Sequence, residues 1–239
     1  NAHSPLITPS FPEVFPVILI IGNSAYQTLE AYGVVIRAIE SRGRRAYVFK
    51  QDQCLKGAYL SYRITSGKPE YRLNIDGMWY AAEDFQTIWF DHPVLPQSLR
   101  RYEPADHRRF IDKQFSTMRE GLRLLFSHKK WLNDPANVSR AENKLYQSSV
   151  ACAAGFEMPD TLMTSDPEEV RSFYERHNGS IVTKMISASP IMDSVIFTKK
   201  VTEEQMRGID SVRYCPSIFQ PYIEKEHELR ITVVGEKIF

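Results

Sequence analysis

Ile218-Phe-Gln-Pro-Tyr-Ile223 and, after a short charged link, Glu228-Leu-Arg-Ile-Thr-Val-Val234 carry the pattern that decides how this chain is read. The first predicts a strand over 217–223. In the second, Leu229, Ile231 and Val233 alternate with Glu228, Arg230 and Thr232. A strand over 228–234 would therefore carry one apolar face and one face with an acid and a guanidinium two residues apart. Such a polar face suits a ribose hydroxyl on the carboxylate and phosphate oxygens on the arginine. It equally suits a solvent-facing sheet with an intrastrand ion pair of little energetic weight.

Working upstream, a strand over 180–186 places Lys184 on one face with Val182 and Ile186. An ammonium on an apolar face needs an anionic partner, or else an edge position from which its stem reaches water. Thr202 with Gln205 opens a short helix after a strand over 195–201, and Ser165-Asp-Pro-Glu168 reads as a capping box opening a helix to His177. Asn178-Gly179 turns that helix into the Lys184 strand. A helix over 137–154 ends at Gly155 and carries Lys144 beside Arg140 and Glu142; an extended stretch over 156–164 follows.

The first half is different in texture. After a Pro-rich lead-in over 1–16, Val17-Ile-Leu-Ile-Ile21 predicts a strand buried on both faces. A helix over 26–41 and a strand over 46–49 complete a β–α–β opening, but Gly22 alone is not a dinucleotide-binding fingerprint. Strand-like runs over 58–64, 70–75 and 78–81, separated by Ser66-Gly-Lys-Pro69 and Asp76-Gly77, predict an antiparallel meander. Thr87-Ile-Trp-Phe90 returns to a buried strand. Over 104–129, Ile111, Phe115, Met118, Leu122 and Leu125 recur at helical spacing as a core-facing stripe.

Several classes of function are excluded by what the sequence lacks. Net charge is +1, which gives no global field for nucleic acid or an anionic membrane. Cys54, Cys152 and Cys215 are dispersed, which fits a reducing cytosol better than a disulfide framework, and no aliphatic run approaches a membrane span. The six histidines form no zinc spacing, and neither a nucleophile elbow nor a P-loop occurs.

Taken in order, Trp131-Leu-Asn-Asp-Pro135, Arg140-Ala-Glu-Asn-Lys-Leu145, Gly155-Phe-Glu-Met-Pro-Asp-Thr-Leu162, Val182-Thr-Lys184, Ile218–Ile223 and Glu228–Gly235 resemble an ATP-grasp ligase. The wording is most similar to the microviridin-type maturases of ribosomally made peptides, the graspetide ligases. The resemblance implies an α/β ATP-grasp fold: a Rossmann-like domain over 17–130 with the meander at 58–81, a central subdomain over 131–218, and the hinge and start of a C-terminal subdomain over 219–239. It implies ATP and magnesium as cofactors. Lys144 and Lys184 would hold phosphates, Gln220, Pro221, Tyr222 and Ile223 would meet adenine, Glu228 would hold the ribose, and Arg230 would neutralise the transferring phosphoryl group.

The implied chemistry is activation of a carboxylate as an acyl phosphate, followed by attack of a hydroxyl or amine to give an ester or amide. The implied partner is a precursor peptide bearing acidic and Ser, Thr or Lys side chains, met in the cytoplasm, with basic residues along 100–130 suited to drawing it in. A homodimer is allowed for. The loop over 187–194 lacks the glycines of the family's phosphate-covering loop, and the family's magnesium-binding acids fall beyond Phe239, so a further C-terminal part is expected. Two alternatives stay open: a ligase adding amino acids to a protein tail or metabolite, and a non-catalytic module that binds nucleotide or peptide.

Overall fold

A computed structural model describes residues 17–96, 98–99, 104–187 and 197–239. The chain divides into two compact units, the first ending at Val138 and the second starting at Ser139. The lead-in over 1–16 and most of the loop over 187–194 lie outside the described residues.

In the first unit, β1 (Val17–Gly22), α1 (Tyr26–Glu40) and β2 (Arg45–Lys50) form the β–α–β opening, with β1 and β2 parallel. Strand β6 (Phe85–Phe90) pairs with the other edge of β1, and β7 (Lys130–Leu132) with β6, giving the parallel order β2-β1-β6-β7. Trp131, expected to begin the central subdomain, belongs to this sheet. The apolar run of β1 is explained by burial: Leu19, Ile20 and Ile21 are almost wholly covered. Each such side chain contributes about 1.5–3 kcal/mol.

Between β2 and β6 the chain makes a 3₁₀ turn over Gln51–Lys56 and then the meander β3 (Leu60–Thr65), β4 (Lys68–Ile75) and β5 (Met78–Ala81). Both hairpins turn on two residues of positive φ: Ser66 (50°) with Gly67 (76°), and Asp76 (48°) with Gly77 (87°). That geometry matches the twist of the strands and favours glycine at the second place. Lys68 and Pro69, expected in the turn, are the first residues of β4. Tyr71, Leu73 and Ile75 of β4 pack into one core with Leu19, Ile21, Phe49, Phe85 and Ile88.

Helix α2 (Ala105–Leu125) closes that core with Leu122 buried and Met118 packed against it. Leu125, expected in the same stripe, is exposed, and Phe126 takes the core position because the helix ends at Leu125 and the chain turns inward. No helix among the described residues is long and apolar enough to cross a membrane.

The helix expected over 137–154 is two helices, α3 (Pro135–Glu142) and α4 (Lys144–Ala153). Asn143 breaks it by taking an extended conformation and accepting a hydrogen bond from the Tyr146 N–H at 3.0 Å, as a helix N-cap does. In the second unit the antiparallel order is β10-β9-β11-β8, built from β8 (Leu162–Thr164), β9 (Ile181–Met185), β10 (Lys199–Lys200) and β11 (Ser217–Pro221). One face of it carries the core, with Ile181 and Phe219 packed on Val170 and Phe173 of α5 (Pro167–Arg176) and on Val201, Ile209 and Val212.

The N-cap of α5 is Asp166, not Ser165, with Pro167 in the first turn. Helix α6 (Glu203–Arg207) has the capping box of Thr202 and Gln205. The strand expected over 228–234 shrinks to β12 (Val233–Val234), paired with β13 (Lys237–Ile238) around Gly235. Alternation alone does not make a strand: among the described residues nothing pairs with the backbone of 228–231.

Candidate functional site

The core-free face of the second sheet is set by register. Lys184 lies opposite Ile218, Val182 opposite Gln220 and Lys200, and Ile218 also opposite Met163. Cross-strand partners share a face, and Phe219 and Ile181 point to the core, so these residues line the other side. Ile218 is almost fully covered and supplies an apolar floor beside Lys184. Strand β9 lies between β10 and β11; β10 pairs with Val182 and Thr183, and Lys184 is paired on the β11 side.

Lys144, on α4, lies within electrostatic reach of Lys184. Asn143 caps that helix, so Lys144 is its first residue, and Lys144, Ser148 and Ala151 are half-buried along one side. The Lys144 Nζ donates to Gln147 Oε1 at 3.0 Å. The pKa of Lys184 is lowered, first by burial and then by the charge of Lys144. No carboxylate pairs with either ammonium among the described residues. Two ammonium groups within electrostatic reach of each other and without a carboxylate partner favour an anion nearby.

The hinge residues meet this face at the end of β11. Gln220 Nε2 donates to Thr161 Oγ1 at 2.8 Å, which anchors the strand to the segment before β8. The Tyr222 N–H donates to Ser180 O at 2.9 Å, and Pro221 has no N–H. Among the described backbone hydrogen bonds the Ile223 N–H has no acceptor. Tyr222 and Ile223 are about half-exposed, and Lys200 holds its Nζ 4.6 Å from the centre of the Tyr222 ring. Lys200 and Asn143 escape the sequence reading; a polar residue directly before Lys144 and a lysine pair in an alternating strand are the signals that point to them.

Glu228 and Arg230 are not brought to this face. Both are exposed in irregular chain, and Glu228 pairs with Lys225. The basic residues expected to draw in a peptide along 100–130 are largely engaged: Arg109 pairs with Asp106, Arg123 with Glu120, and Lys129 donates to the carbonyls of Ala82, Glu83 and Phe85. Arg119 is partly buried and donates to Gln51. Arg100 and Arg101 lie outside the described residues. Among the described residues no group of three or more His, Cys, Asp or Glu stands together, so none of them is assigned to magnesium.

No protein-family model and no curated protein matches the sequence. Solved structures do. Macrocyclase MdnC from Microcystis aeruginosa MRC, bound with precursor peptide MdnA, superposes with a TM-score of 0.80 at 28% identity over 93% of this chain and 70% of that one. A RiPP-associated ATP-grasp ligase from Chryseobacterium gregarium, in complex with ADP and a leader and core peptide, gives 0.75 at 28% identity over 94% and 68%. Macrocyclase MdnB from Microcystis aeruginosa MRC gives 0.73 at 26% identity over 94% and 73%. In its α/β architecture this chain is similar to the ATP-grasp ligases that modify ribosomally made peptides.

Proposed function

We propose that this protein uses ATP to cross-link side chains of a ribosomally made precursor peptide, through an acyl phosphate formed on an Asp or Glu of that peptide. The observation that carries the reading is the convergence of Lys144 and Lys184, without a carboxylate partner among the described residues, in a chain whose similar structures are peptide-modifying ligases. A carboxylate is a poor electrophile, and phosphorylation gives it a good leaving group. Lys144 and Lys184 bind the phosphates and offset the negative charge that develops during transfer. Ile223 offers its N–H to adenine, and Tyr222 and Ile223 pack on the ring, with Gln220 and Pro221 fixing the approach of the hinge. Magnesium accompanying ATP supplies further neutralisation.

Glu228 for the ribose and Arg230 for the phosphoryl group remain part of this proposal as residues that reach the nucleotide by movement of the segment over 224–231. An ester follows from attack by a Ser or Thr hydroxyl and an amide from attack by a Lys amine. Mass spectrometry of a precursor peptide incubated with protein, ATP and Mg²⁺ tests the reading: each cross-link removes one water. The loss is expected to vanish in Lys184→Ala. A gain of amino-acid mass would select the tail-extending ligase instead, and nucleotide binding with no mass change would select the non-catalytic module.

A further inference from the structure

The first unit holds a second polar concavity at the carboxyl ends of its parallel strands, the edge where α/β sheets place ligands. It encloses about 330 Å³ and is lined by Ser24 after β1, by Lys50, Gln53 and Lys56 at and after β2, and by Asn74 and Asp76 of the β4–β5 hairpin. Its electrostatics favour an anion. Lys50 has Asp76 as a partner at 3.8 Å, the far end of ion-pair range, and that carboxylate is 81% exposed. Lys56 has no ion-pair partner among the described residues.

Asn74 is 6% exposed, and its Oδ1 accepts from the Gly77 N–H at 3.1 Å. Its Nδ2 has no acceptor among the described residues and is left to the cavity. Asp76 is the acid in the lining; Asp52, outside it, accepts from the Ser24 N–H at 2.9 Å and from the Ser24 hydroxyl.

The same contacts rule out a phosphate cradle. Phosphate sites at a strand–helix junction use free backbone amides. Here the Ser24 N–H is taken by Asp52 and the Ala25 N–H by Asn23 Oδ1 at 3.0 Å. What remains is a pair of ammonium groups, that of Lys50 loosely paired with Asp76, and the Asn74 carboxamide, a donor set for a single small anion with two oxygens.

We propose that this concavity is a carboxylate-binding subsite, with Lys50 and Lys56 supplying charge and Asn74 a directed hydrogen bond. On the function proposed above, the carboxylate comes from an acidic side chain of the peptide; the chemistry of the site is shared by a free small acid.

The test follows the Asn74 side-chain amide by ¹⁵N NMR in the whole chain, with four probes: Nα-acetyl-glutamate methylamide, its glutamine counterpart, glutarate and inorganic phosphate. The blocked glutamate is expected to shift the Asn74 amide while the glutamine form does not. Lys56→Glu, an exposed change that leaves the fold intact, and Asn74→Asp, which keeps the acceptor for Gly77, should each weaken binding about tenfold or more. Shifts from glutarate alone, lost in both variants, would support the subsite and assign it to a free acid. Equal shifts from phosphate, or binding indifferent to both variants, would overturn it. ATP binding measured on the same samples reports separately on Lys144 and Lys184, so loss of either reading is visible without the other.

Discussion

Lys184 is pushed toward its neutral form first by burial in the sheet and then by the positive charge of Lys144, carried on a separate helix. Its folded pKa therefore lies below its unfolded value, and the unfolded chain binds the proton more readily. In the nucleotide-free protein this group opposes folding at neutral pH, and the opposition fades as pH rises through the lowered pKa toward the ordinary lysine value. Lys184→Met should raise the melting temperature of the nucleotide-free protein by roughly 2–4 °C, allowing for screening at this half-exposed site, with the gain shrinking at alkaline pH. ATP is expected to raise the melting temperature of the wild type, and that rise should disappear in the variant. Thermal scans with and without ATP check both parts; a retained ATP shift would remove Lys184 from the site.

Asn143 sets the start of the Lys144 helix. Asn143→Ala deletes the cap and is expected to cost about 1 kcal/mol, read by urea denaturation. Because the first turn of α4 then frays or merges with α3, the KM for ATP should rise while Asn143→Asp, which keeps an acceptor for the Tyr146 N–H, retains stability.

Gly22 ends β1 directly beneath Tyr32, whose hydroxyl donates to Asp91 Oδ2 at 2.7 Å and whose ring meets Trp89 edge-on. A Cβ at Gly22 would stand 1.8 Å from that hydroxyl. Gly22→Ala should destabilise by about 1–3 kcal/mol through forced displacement of Tyr32. Tyr32→Phe, losing the hydrogen bond alone, should cost about 1 kcal/mol. Equal costs in denaturant melts would contradict the steric account.

Lys129 donates to the carbonyls of Ala82, Glu83 and Phe85, tying the 3₁₀ turn before β6 to the end of α2. Lys129→Met keeps the stem and removes the donors. A loss of about 1–3 kcal/mol is expected, with ATP affinity unchanged because the residue belongs to the first unit. Paired denaturation and ATP titrations test this, and an altered ATP affinity would contradict it.

How much of this is legible in the sequence depends on how local the cause is. The run 17–21, the Asp76-Gly77 turn and the Thr202–Gln205 box act over a few residues, and each forms as its own spacing requires. The break at Asn143 is harder, because Asn is tolerated inside helices until its side chain finds a backbone N–H. The stretch 228–234 has the right alternation, but whether it pairs is decided by a distant partner that alternation does not encode. Lys184 stands out by alternation, whereas its meeting with Lys144, 40 residues upstream, rests on the family resemblance and on the folded sheet.

The pause at Asn143 has a consequence for how this chain tolerates change. In one continuous helix, each residue inserted upstream would swing everything beyond it by about 100°. Here the helical phase is reset at the cap, so a shift in α3 is absorbed at the junction and Lys144 keeps its bearing on Lys184. The segment preceding the lysine is thus free to drift in length and angle without retuning the charge it precedes.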